Sequence, residues 1–394
     1  MVCKPCDDAD DEPKKEEKKE DVPKALPAPK KAVVESPEVA RGVNVTILGA
    51  DSPVGHYTAL LLKQCPCVKR IRLYEAKDRP TEPERDICKV VHDLQHIDTN
   101  CVIQAYGGSP SELSLCLQNS HIVLMLESDA QNLELSLETR FYSKAPLVKK
   151  YADAISQECP QAFTVICISP VDCMVPLAVE IFKDTGFHDP RKLLGTMSVA
   201  EMRASTLAAR ALSLEPRYTR VPCVGGTEGE TLVPLFSKAV EFFDFARHNA
   251  ELMTETVRYA SKAVAFSKSA DLSEAHAHAG LVKAIAYALL CQDVPRVTGF
   301  VESDSSQIIS PAKYIANEVE LDAHGISNNF GVAPLSDYEM FLMHLAITEL
   351  NYRQKLAEDW KKNCIIHTLN QCERNYWFTP KSTEFSDVGF NCVC

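Results

Sequence analysis

From Val43 onward the chain settles into an alternation of short apolar runs and helical stretches. VNVTILGA is strand-like, turns at Gly49, and leads into GHYTALLLKQ, whose apolar positions recur at helical spacing. VKRIRLYEA predicts a second strand ending on Glu75, and the pattern returns in IVLMLE (122–127) and FTVICIS (163–169), with helical stretches between. Strands that alternate with helices in this way predict an α/β domain on a doubly wound parallel sheet, spanning 43–190.

Beyond about residue 190 the character changes. MRASTLAARALSL, SKAVEFFDFARHNAELMTETVRYASKAV and EAHAHAGLVKAIAYALL predict long helices, VTGFVES and IANEVEL predict strands, and SDYEMFLMHLAITELNYRQKLAEDWKKN predicts a last helix. Together they predict an α+β domain over 191–363 that covers the carboxyl ends of the sheet. Residues 364–394 mix aromatics with turn residues and read as an extended C-terminal tail. Residues 1–42 carry clustered Asp, Glu, Lys and Pro with almost nothing to bury, which predicts a disordered charged arm.

The net charge of −12, with no basic stretch to offset it, argues against a nucleic-acid partner. No apolar run approaches the roughly 20 residues of a membrane helix, so a soluble chain with no membrane partner is expected. The 16 cysteines lie mostly inside apolar segments, which predicts buried free thiols in a reducing compartment. The acidic, Lys-rich start differs from an Arg-rich, acid-poor transit peptide, so cytoplasmic placement is expected over mitochondrial.

Cys3 with Cys6, Cys65 with Cys67, and Cys392 with Cys394 are closely spaced pairs, but no four-ligand set accompanies them and no metal site is assigned. His276 and His278 lie two apart on a predicted helix and diverge by about 200°, so they read as surface or interface histidines rather than a chelating pair.

VTILGADSPVGHYTALLL places Gly49 and Gly55 between a strand and a helix, where glycines allow a tight turn and a close approach of a pyrophosphate to the helix N-terminus. Glu75, at the end of the next strand, suits a ribose diol. The middle glycine of such a fingerprint falls at Ser52, followed by Pro53, which puts a side chain in the phosphate's path. NAD is therefore the candidate cofactor, beside the alternative that these glycines serve chain geometry alone.

Taken in order, VTILGADSPVGHYTALLLK, RIRLYE, DLQHI, ISPVDCMVPLAVEIFK, VPCVGGTEGETLVPL and LSDYEMFLMHLAITELN resemble the lactate/malate dehydrogenase family, and within it the mitochondrial type of malate dehydrogenase. The resemblance covers about residues 43–363. It implies a Rossmann-type domain followed by an α+β domain, and a homodimer paired through MRASTLAARALSL and the helical stretch near 245–265.

Carried over by residue, the resemblance places the two arginines of the family's mobile loop at Gln131 and Leu137. Its asparagine beside the substrate falls at Ser169, the aspartate that orients the catalytic histidine at Ala200, and that histidine at Thr227. The third substrate arginine is retained as Arg203, with pairing to a neighbouring glutamate as its bland alternative, and a serine near the substrate falls at Asp271.

Oxidising a 2-hydroxy acid needs a base titrating near neutrality, which a threonine hydroxyl is not. Arginine forks read carboxylates, which glutamine and leucine do not. Glu127, Asp129, Glu134, Glu201 and Glu228 lie near enough in sequence to be weighed as substitute bases, provided burial raises their pKa.

The expectation is a non-catalytic relative with a structural or interaction role, its two arms wrapping protein partners. Cys3-Lys4-Pro5-Cys6 resembles the Cys/Pro motifs of sperm-tail structural proteins, which would suit a cytoskeletal, ciliary or flagellar assembly such as an axoneme. The alternatives are an active NAD-dependent dehydrogenase with a rebuilt site, and an NAD-responsive binding module.

Overall fold

The computed structural model describes residues 42–76, 86–127, 135–241, 243–265, 271–303 and 312–378, all within one compact unit. The charged arm, residues 379–394, Gln131, Asp129 and Glu134 lie outside the described residues, as do the cysteine pairs at 3/6 and 392/394.

The first half is the expected βα alternation. Strands β1 (Val43–Leu48), β2 (Val68–Glu75), β3 (Val102–Gly107), β4 (Ile122–Met125), β5 (Phe163–Ile166) and β6 (Leu193–Thr196) pair in parallel in the order β3-β2-β1-β4-β5-β6. β4 and β5 are buried along their whole length, as strands covered on both faces must be, which is why they read as unbroken apolar runs.

The helices between them are α1 (Pro53–Lys63), α2 (Asp86–Leu94), α3 (Pro110–Leu117), α4 (Leu137–Glu158) and α5 (Val171–Thr185). Their starts follow capping chemistry. Ser52, Ser109 and Ser136 each accept a backbone N–H in the first turn of α1, α3 and α4. Gly186 ends α5 in the left-handed conformation, φ 77°.

The second half extends the same sheet rather than capping it. After α6 (Ser198–Leu212) come β7 (Cys223–Gly225) and β8 (Leu232–Pro234), then α7 (Arg247–Ala265), α8 (Asp271–Leu289), β9 (Arg296–Glu302), β10 (Tyr314–Asp322), β11 (Gly325–Asn329) and α9 (Asp337–Phe378). β6 pairs antiparallel with β9, and β10, β7 and β8 follow in the same sheet, with β11 on β10. One face of the sheet packs on α4, α5 and α9, with Phe141, Tyr151, Met174 and Leu350 in the core. The other packs on α1 and α8 through Leu62, Val282 and Ile285.

Two sequence expectations change here. The helix expected from residue 237 starts only at Arg247, after a single turn at Phe236–Lys238. The tail expected to be extended from 364 continues α9 as far as Phe378. Aromatic and polar residues mixed without a breaker permit a helix, because no Pro or Gly occurs between 337 and 378. Among the described residues, no helix is long and apolar enough to cross a membrane. Cys65, Cys67, Cys101, Cys116, Cys159, Cys167, Cys173 and Cys223 are free and buried, as expected, whereas Cys88 and Cys291 are exposed and Cys364 is half-buried.

Candidate functional site

The turn after β7 is held by what its glycines allow. Gly225 has φ 83°, and a Cβ on Gly226 would lie 2.1 Å from Thr231 Oγ1 and 2.6 Å from Asp172 Oδ2. The turn can therefore close onto the first turn of α5. There Asp172 accepts the Thr227 amide at 2.7 Å, the Thr231 hydroxyl at 2.9 Å and Arg353 Nη1, from α9, at 2.7 Å. Burial opposes the charge on Arg353, but Asp172 and Glu228 outweigh it and hold the guanidinium protonated.

This anchoring brings Thr227, Ser169, Ala200 and Arg203 to the wall of one cavity of about 280 Å³. Four positions that the family resemblance assigned to chemistry thus converge in space. Leu137 does not join them: it packs against the core, while Leu135 reaches the cavity. Asp271 begins α8 and is not among the lining residues.

The cavity holds a side chain that sequence reasoning missed. Arg140 lies one helical turn beyond Leu137 on α4, and its Nη2 and Nη1 donate to Glu228 Oε1 and Oε2 at 2.7 and 3.1 Å. Nη1 also donates to Ser169 Oγ at 2.9 Å, and Ser169 Oγ donates to Glu228 Oε2 at 2.8 Å. A bidentate fork of this kind is how an arginine grips a substrate carboxylate. Here the carboxylate belongs to the protein itself. The signal in the sequence was an arginine three residues on from Leu137, the position the resemblance assigned to a loop arginine, which helix periodicity puts near the same face.

Glu228 is thereby disqualified as a substitute base. Burial alone would raise its pKa, but the Arg140 fork, Arg353 and the Ser169 hydroxyl prevail and hold it below the ordinary carboxylate range. Two other carboxylates weighed from sequence are committed elsewhere. Glu127 pairs with Lys144, and Glu201 turns away from the cavity to Arg220 at 2.6 Å. Beside it, Ala200 offers only a methyl group.

Arg203 is retained but engaged. Its Nη1 donates to Ser261 Oγ at 2.7 Å, and its Nη2 lies 3.7 Å from Glu274 Oε1 without a hydrogen bond. The partner glutamate expected nearby in sequence is thus supplied by α8, 71 residues on. Burial raises the pKa of Glu274, with Arg203 opposing. His278, expected at the surface or an interface, is instead 5% exposed within the fold and lies with its Nδ1 3.6 Å from Cys167 Sγ. Burial lowers its pKa to about 4, so it is neutral at pH 7. His276 is exposed, as expected.

The glycine turn after β1 keeps the expected shape. Gly49 has φ 74°, and a Cβ on Gly55 would lie 2.7 Å from Ala50 Cα, so both glycines are required by the chain's own geometry. Ser52 is not thrust outward. Its hydroxyl turns inward, donating to Gly49 O and accepting from Gly55 N, each at 3.2 Å.

The Gly55 amide, one of the donors a phosphate would use, is therefore taken by the cap. Asp51 adds a carboxylate to the same turn, with Oδ2 buried and without a hydrogen-bond partner. Glu75, assigned to the ribose, is 2% exposed. The turn fits a dinucleotide in backbone path, not in charge. Among the described residues, no cluster of three or more His, Cys, Asp or Glu is placed to hold a metal.

A parallel sheet in the order β3-β2-β1-β4-β5-β6, a glycine turn after β1 and a cavity beyond β5 define the class: an α/β protein with a Rossmann-type doubly wound sheet. Residues 43–195 match the lactate/malate dehydrogenase NAD-binding domain, and residues 199–360 match the α/β C-terminal domain of the same family.

The mitochondrial malate dehydrogenase of Pongo abelii is 30% identical over 345 residues, covering 86% of this chain and 98% of the relative. That of Homo sapiens is 29% identical, covering 83% and 94%. Among solved structures, malate dehydrogenase from Cryptosporidium parvum superposes with a TM-score of 0.67 at 19% identity, covering 82% of this chain and 99% of that one. The chain belongs to the lactate/malate dehydrogenase family.

Proposed function

We propose that this chain is a non-catalytic member of the family, serving as a structural or interaction protein. One observation carries the reading: the arginine fork and the hydroxyl that would receive a substrate carboxylate are satisfied by Glu228. The base position is Thr227 and its orienting position Ala200, so no group in the turn takes up a hydroxyl proton near neutral pH. Loss of general acid–base help alone costs roughly 100- to 10,000-fold. A malate or oxaloacetate dianion entering the cavity would also meet Glu228 and Glu274.

The test is oxaloacetate reduction and thermal unfolding with NADH on one purified sample of the full chain. The expected outcome is no turnover. Because Asp51 and the Ser52 cap oppose a pyrophosphate, the expected NADH shift is also far below the roughly 2.7 kcal/mol that a ligand gives at 100 times its dissociation constant. Turnover at an ordinary dehydrogenase rate would overturn the reading. Thr227→His with Ala200→Asp should remain inactive, because Glu228 still holds Arg140; activity in that double variant would show the fork to be irrelevant.

The assembly we propose is a homodimer formed through α6 and α7. Exposed Leu214 and Tyr218 just beyond α6, and Leu252 on α7, support that face. Sedimentation as a monomer at micromolar concentration would contradict it. Partner contacts through the terminal arms, in a cytoplasmic and cytoskeletal or axonemal setting, complete the proposal. Co-fractionation with detergent-resistant cytoskeleton, lost on deleting residues 1–42, is its check.

A second reading, a rebuilt dehydrogenase site for another substrate, is favoured by Glu274 alone, a cavity carboxylate whose pKa is raised by burial. If any NAD-linked 2-hydroxy acid activity is found, Glu274→Gln should abolish it.

A further inference from the structure

The turn that joins α1 to β2 reads Cys65-Pro66-Cys67, and the function proposed above makes no use of it. Its backbone is closed by two hydrogen bonds, Cys65 N to Leu62 O at 3.0 Å and Val68 N to Cys65 O at 3.1 Å. The turn brings the two sulfurs to 3.7 Å of each other. A disulfide requires about 2.0 Å, so modest side-chain rotations, with no movement of distant chain, complete the approach. Gln64 and Pro66 on either side are exposed, while Cys65 is 9% and Cys67 4% exposed. A small oxidant can reach the pair; a protein thiol or disulfide is kept out.

We propose that Cys65 and Cys67 form a modification site that takes a hydroperoxide and closes into a disulfide across the Cys-Pro-Cys turn. The two sulfurs have different roles. The Cys67 thiol hydrogen-bonds to Cys65, and Lys283 of α8 adds positive charge; these outweigh burial and bring the Cys65 pKa down to about 7. The same hydrogen bond and burial push Cys67 up. Cys101, the other titratable group facing Cys65, is raised to about 11 by burial and stays a thiol. Cys65, at 9% the more exposed of the two against 4% for Cys67, is the sulfur a peroxide meets first and so the attacking one, with Cys67 resolving. Elsewhere, Cys116, Cys159, Cys167, Cys173 and Cys223 are all raised by burial and stay thiols.

The chemistry balances with one hydroperoxide. Cys65 Sγ attacks a peroxide oxygen and the O–O bond breaks. The departing hydroxide takes up the proton that Cys65 had released to solvent and leaves as water, with a sulfenic acid on Cys65. Cys67 Sγ gives up its proton and attacks Cys65 Sγ; the S–S bond forms and the sulfenic oxygen leaves as water. Two thiols lose two electrons and two protons, and hydrogen peroxide becomes two waters. A thiol reductant reverses the step by exchange once the turn opens.

The experiment exposes the full chain to hydrogen peroxide, alkylates remaining thiols under denaturing conditions, and weighs the tryptic peptide spanning 64–69, which contains both cysteines and no others. The expected result is that this peptide becomes lighter by two hydrogens, resists alkylation, and does so about tenfold faster than the exposed Cys88 and Cys291 are oxidised. In Cys67→Ser, Cys65 should stop at the sulfenic acid and be captured by a 1,3-dione. The proposal is overturned if the wild-type peptide stays reduced while Cys88 and Cys291 oxidise, or if Cys65 runs to sulfinic acid without forming the disulfide. The wild-type measurement decides the matter even where the variant fails to fold.

Discussion

Asp172 fixes the geometry of the 225–231 turn through three hydrogen bonds in a fully buried position. Removing one partner of a buried ion pair leaves the other charged and unsolvated, at a typical cost of 3–5 kcal/mol. Asp172→Ala should therefore lower the urea-unfolding free energy by about that amount; a loss under about 1 kcal/mol would mean that Glu349, which accepts from Arg353 Nε at 3.0 Å, satisfies the guanidinium without Asp172.

His278 yields a pH prediction. Its ordinary pKa of 6.5 falls to about 4 in the fold because burial disfavours the charged ring. Between those values the unfolded chain takes up a proton that the folded chain does not, so stability is full above about 6.5 and declines as pH falls towards 4. The urea midpoint of His278→Gln should be flatter than wild type across that window. Glu302 acts lower. Burial would raise it, but His188 and Lys183 prevail and hold it at about 2, so its contribution is lost only between about 4.5 and 2. A variant that differs from wild type only below pH 4.5 would sink the assignment to His278.

At the scale of elements, α1 joins the two halves of the nucleotide question. Its start is capped by Ser52 and its approach to β1 is set by Gly55. Ser52→Ala should cost about 1 kcal/mol, whereas Ser52→Gly should cost only a few tenths and free the Gly55 amide. Gly55→Ala should cost roughly 1–3 kcal/mol, because its Cβ would strike backbone that cannot rotate away. Denaturant unfolding checks all three. If NADH stabilises Ser52→Gly no more than wild type, the cap is not what opposes the cofactor.

The strand–turn–helix plan here was legible, since apolar runs, glycines and serine caps are local signals. The missed features were pairings across the chain. Arg140 with Glu228 joins residues 88 apart, and Cys167 with His278 joins residues 111 apart.

At the scale of the whole molecule, the two family domains, 43–195 and 199–360, share one sheet. β6 of the first half pairs with β9 of the second, and Gly195 lies close against Val171, Val175 and Phe300 at that seam. A split there would expose a sheet edge and two core faces, so the described unit should unfold in one transition by both circular dichroism and tryptophan fluorescence. Two resolved transitions would mean that the seam is weak.

What the sequence determined by itself was the periodicity, the order of elements, the family and which residue types stand at Thr227, Ala200 and Leu137. These follow from local pattern and residue chemistry, which need no knowledge of distant neighbours. Only the tertiary structure decided what the remaining polar groups do. It places the Glu228 carboxylate in the grip of Arg140, turns Glu201 away, buries His278 and folds Ser52 back into its own helix. The physical reason is that a side chain's charge state and partners depend on burial and on groups brought close by chain crossings, and neither is written in the residues beside it.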